Sequence, residues 1–126
     1  QDNRVVPLEG VCVREFDAAQ RALLLDTIES FLEHLPDGPR AARMAQIEAH
    51  LDETWWNWIG KHGDDDPFYF RIQSPVLLIE FDHHSGMWLT NEQPEKFHIH
   101  TITRIPNGND YGRALLQAWR AAALRG

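Results

Sequence analysis

Apolar positions recur at helical spacing in the first third of the chain and at every second position further on. Leu24, Ile28, Phe31, Leu32 and Leu35 form one stripe, as a single face of an α-helix requires. Asp17 precedes the stripe, with Gln20 three residues on. That is a capping-box pattern, in which each side chain covers an open backbone N–H at the helix start. Pro36-Asp37-Gly38-Pro39 breaks this helix. A second one runs from about Pro39 to Leu51 and gathers Met44, Ile47 and Leu51 on one face. Glu48 and Asp52, one turn apart, read as a solvated acidic edge.

From Thr54 onward the period shortens to two, the mark of strands. Thr54 to Ile59 is rich in tryptophan and ends at Gly60. Lys61 to Asp66 forms a polar turn whose three aspartates lack the spacing of an EF-hand loop. Phe68 to Ile72 alternates, Ser74-Pro75 leads into a strand from Val76 to Asp82, and a further strand runs from about Phe97 to Arg104. Residues 83 to 96 read as a long connection, with a short strand at Met87-Trp88-Leu89 inside it. Pro106-Asn107-Gly108-Asn109-Asp110 is dense turn chemistry. Tyr111 to Leu124 reads as a last helix, with Leu115, Leu116 and Trp119 as its apolar side. The expectation is an α+β domain with two N-terminal helices, an antiparallel meander of about four strands and a C-terminal helix.

Composition narrows the function classes. The 126 residues fit one domain. A formal charge of −7 argues against a nucleic-acid footprint or a polybasic membrane patch. No apolar run approaches the roughly 20 residues a membrane span needs, so the chain reads as soluble, with its compartment open. The lone Cys12 permits no internal disulfide. Gln1 in place of Met points to processing or an upstream segment.

The most distinctive chemistry is His98-Ile99-His100. Residues two apart on a strand face the same side, so both imidazoles project together. Glu80 and Asp82 end the preceding strand at the same spacing. Pairing of the two strands joins two imidazoles to one or two carboxylates, a donor set for zinc, iron, manganese or copper. The expected ligands are Glu80, His98 and His100. Asp82 is expected to move protons or to orient a ligand histidine from behind. Arg104 shares the His98 and His100 face, where it can pair with Glu80 or an anionic substrate. His83 and His84 point to opposite sides, so at most one joins the site. His34, His50 and His62 read as surface residues.

Phe68 to Ile72, Pro75 to Asp82, His98 to Thr101 and Arg104 to Gly112 resemble the C-terminal signature of the domain-of-unknown-function 3500 family. Trp56-Asn57-Trp58-Ile59-Gly60 and the helical lead-in from Gly10 fit as well. Members of that family extend further upstream and carry there a Gly-His-His-Leu-like motif that this sequence lacks. The resemblance therefore implies that residues 1–126 are the C-terminal portion of a larger architecture or one subunit of a complex. It also implies a second chain supplying the upstream region.

Three roles follow from these residues. One is a metal-dependent enzyme, oxidative with iron or copper and hydrolytic with zinc, acting on a small-molecule substrate. Another is a metal- or ligand-binding subunit without chemistry of its own, with Trp55, Trp56, Trp58, Phe68 and Tyr69 as interface or pocket wall. The third is a structural module whose His and Glu side chains form a buried polar network. No Gly-x-Ser-x-Gly motif is present, which argues against a metal-free covalent hydrolase.

Overall fold

The structure is a computed structural model that describes residues 6–85, 94–106 and 113–124. Its core is a five-stranded antiparallel sheet in which spatial order equals chain order. The strands are β1 (Val11–Cys12), β2 (Trp55–Gly60), β3 (Phe68–Gln73), β4 (Leu78–Ser85) and β5 (Pro94–Arg104). Helices α1 (Ala18–Ser30) and α2 (Asp37–Ala49) lie between β1 and β2, and α3 (Arg113–Ala123) follows β5. The α+β class, the helix count and the meander match the sequence expectation. The two-residue β1 is the strand the pattern was too short to show.

Local chemistry explains the boundaries. Asp17 accepts from the Gln20 N–H at 2.9 Å while the Gln20 side chain accepts from the Asp17 N–H at 3.0 Å. The expected capping box therefore starts α1. That helix stops at Ser30, short of Leu35, because residues 31 to 35 continue as turns. Leu32 stays in the core even so. Pro36 sits at the N-cap of α2, so Asp37 and Gly38 belong to the helix rather than to the break. β4 begins at Leu78 rather than Val76 and runs through His83 and His84 to Ser85. β5 begins at Pro94, so the 83–96 connection is shorter than its sequence reads. The strand expected at Met87-Trp88-Leu89 lies outside the described residues, as do Asn107 to Gly112.

Register divides the sheet into two faces. Phe70 pairs with Phe81 and Ile72 with Ile79, and these side chains meet Val13, Leu24, Ile28, Leu32, Ile47 and Leu77 in the core. Both N-terminal helices supply residues to this face. Trp56, Trp58, Phe68, Phe70 and Phe81 extend it as a stacked array, with Trp58 and Phe68 centroids 4.4 Å apart and Phe68 and Phe81 centroids 5.0 Å apart. The tryptophan-rich stretch thus serves packing. Offset ring stacking adds to simple area burial.

The opposite face carries Asn57, Tyr69, Arg71, Gln73, Glu80 and Asp82. The N-terminal segment crosses part of it. Arg71 donates to Glu9 Oε2 at 2.8 Å and to the Pro7 carbonyl at 3.2 Å, and Gln73 donates to the Val6 carbonyl at 2.8 Å. Gly10 makes this crossing possible, with φ at +99° and the Trp56 carbonyl 2.0 Å from where a Cβ would stand. Among the described residues no helix is long and apolar enough to cross a membrane.

Candidate metal site on the exposed sheet face

Antiparallel pairing of β4 with β5 assembles the candidate residues. Asp82 stands opposite His100, Glu80 opposite Ile102, and Leu78 opposite Arg104. Directly opposed residues share a face, so Glu80, Asp82, His100 and Arg104 lie in one field. His98 joins them through its side chain: its Nε2 lies 3.0 Å from Nε2 of His100, with ring centroids 4.8 Å apart. The His-x-His step on a strand therefore does what its spacing predicts. His98 is half-buried and His100 exposed.

That 3.0 Å separation is informative. Two neutral imidazoles can share one proton across it. Two nitrogens bound to one ion at ~2.0–2.1 Å are separated by about 2.9–3.4 Å, depending on the bond angle. The observed pair sits inside that range. Among the described residues, however, no three His, Cys, Asp or Glu side chains gather closely enough to enclose an ion. The structure brings the two imidazoles together and leaves the carboxylates alongside.

The two carboxylates differ. Glu80 Oε1 accepts from the Tyr69 hydroxyl at 2.7 Å, so one of its oxygens is engaged. Asp82 is the carboxylate in direct register with His100. Tyr69, Glu80, Asp82, His100, Thr101 and Ile102 line a depression of about 410 Å³. Burial, then the hydrogen bond to Glu80 and its charge, push the Tyr69 hydroxyl up to about 12, against a smaller lowering by Arg71. Tyr69 is thus a neutral donor throughout the physiological range. The sequence reading places Tyr69 in an aromatic interface or pocket wall and not beside the carboxylates. The available signal was the register: once β3 pairs β4, Tyr69 falls opposite Asp82.

Three other histidines with described side chains fall elsewhere. His83 is buried on the core face, where its Nδ1 lies 3.0 Å from the Phe68 N–H and 3.1 Å from the Phe68 carbonyl. It therefore faces away from His98 and His100. The His84 side chain lies outside what is described. His50 pairs with Glu53 at 2.7 Å, and His62 stacks on Trp58 at 5.4 Å. Arg104 lies two residue pairs from Ile102 and Glu80 along the strand axis, at the edge of the field.

A family model described as "Protein of unknown function (DUF3500)" matches residues 1–113 of the chain. No curated protein and no solved structure matches.

Proposed function

From the premise that the chain belongs to the DUF3500 family, we propose that it is the metal-holding part of a metal-dependent enzyme. His98 and His100 grip the ion through their Nε2 atoms. The approach of those two nitrogens to 3.0 Å carries this reading. Asp82, in register with His100, is the carboxylate best placed to approach the ion or to steady the His100 ring. Glu80, anchored by Tyr69, holds a proton-handling group beside it. Arg104 at the rim offers charge for an anionic substrate. A bound ion would supply Lewis-acid or redox chemistry there.

A second reading is a metal-binding subunit whose reaction is carried by another chain. The exposure of His100 favours it, since catalytic centres usually exclude water.

Elemental analysis of natively purified protein tests the site. We expect stoichiometric zinc, iron or copper in the wild type, lost in His98→Ala and in His100→Ala and retained in His62→Ala. Equal metal content in all three variants would remove the site. Metal retained without turnover, in a complex containing every co-purifying chain, would select the subunit reading.

A further inference from the structure

We propose that two copies of this chain pair antiparallel through β5 and share one metal ion between their His98-Ile99-His100 steps. This inference rests on the two-histidine grip proposed above and adds ligands to it.

β5 is the last strand in the sheet order and pairs with β4 on one side. Among the described residues no strand lies on its outer side. It is 11 residues long, well above the short length with which edge strands usually avoid foreign pairing. Its central stretch, Phe97 to Thr103, contains no Lys, Arg, Asp, Glu or Pro. It also exposes apolar surface: Phe97 is 91% exposed, Ile102 49% and Ile99 47%. Such an edge is built to be covered.

The sequence of that edge favours a second copy over an unrelated strand. Opposed residues in an antiparallel pair must share a face, so a two-fold axis normal to the sheet has to pass midway between a residue and its own copy. An axis midway between the two copies of Ile99 sets Ile99 against Ile99 of the partner subunit and Phe97 against the partner's Thr101. It sets His98 against the partner's His100, and His100 against the partner's His98. The step is thus self-complementary about Ile99. Paired strands lie about 4.8 Å apart with facing Cβ atoms about 4.5–5.5 Å apart. Four imidazoles then converge on one face, two from each chain. Among the described residues each chain gathers two, and no three-ligand group forms. Asp82 flanks His100 from the β4 side, where it can hold that ring in place.

The test is analytical ultracentrifugation of the full chain titrated with zinc chloride, alongside zinc quantification. The expected result is a zinc-dependent dimer at one zinc per two chains, reversed by a chelator. His98→Ala is expected to lose both zinc and dimer. Ile99→Lys, at an exposed position, is expected to lose the dimer while its circular dichroism spectrum remains that of the wild type. A wild-type monomer holding one zinc per chain would overturn the shared site and leave the two-histidine grip standing. No zinc binding at all would overturn both. A dimer that ignores both chelator and His98→Ala, or an upstream segment occupying the β5 edge, would overturn the sharing.

Discussion

At the scale of single residues, the best-defined contact in the candidate site is the Tyr69 hydroxyl on Glu80. It makes a prediction with a sign. The folded-state pKa of Tyr69 is raised to about 12 from 10.0. The stabilisation this represents is therefore complete below pH 10 and is lost as pH climbs through 12. Unfolding by denaturant across that range should show stability falling in the wild type and a flatter profile in Tyr69→Phe. Two identical profiles would mean that the burial of Tyr69 and its hydrogen bond to Glu80 do not raise its pKa in solution. The same scale shows what the sequence could and could not reveal. His98 and His100 are two apart on a strand, and backbone geometry alone puts them together. Tyr69 is eleven residues from Glu80, and only the pairing of β3 with β4 makes them neighbours. Spacing along one strand is legible in a sequence. Partnership across strands waits on register.

Among the elements, β1 and the crossing segment depend most on a single backbone conformation. A Cβ at Gly10 would collide with the Trp56 carbonyl, and its φ of +99° is one that L side chains rarely adopt. Gly10→Ala should therefore cost at least ~1–3 kcal/mol and loosen the Arg71 to Glu9 ion pair that the turn directs. Thermal unfolding and faster amide exchange at Val11 and Trp56 measure it; unchanged exchange there would show that the segment is not held by this turn. Elements of this kind escape pattern reading because two residues have no period. The long elements were legible for the opposite reason. Asp17 and Gln20 announce α1 through chemistry confined to four residues, and the alternation from Phe68 to Ile72 announces β3. Their ends were less so: residues 31 to 35 keep helical spacing in their apolar side chains while the backbone turns, since burial of Leu32 needs only its position and not a helical bond.

For the molecule as a whole, stability is concentrated where α1 and α2 supply the core face of the sheet. Ile28, Ile47, Ile72, Leu77 and Ile79 are fully buried. The described side chains of α3, by contrast, are exposed throughout, with Leu116 at 45% and Trp119 at 66%. Of the apolar side expected on that helix, Leu116 and Trp119 are exposed. Deleting residues 113–126 should leave the thermal midpoint within a few degrees, ~1 kcal/mol for a domain of this size. A large drop would place the helix against the sheet in solution. An amphipathic pattern predicts that a face will be covered but does not name what covers it, and here that limit separates the sequence reading from the structure.

The chain-order sheet has a mechanical consequence. Every neighbouring strand pair joins strands consecutive in chain order in antiparallel fashion, so tension transmitted through α3 reaches β5 before any other strand. It would open the β4–β5 ladder from one end, rung after rung, instead of shearing all its hydrogen bonds at once. A chain pulled this way yields at low force. A joint across β5 that welds two such edges together would convert the weakest margin of the molecule into its strongest seam.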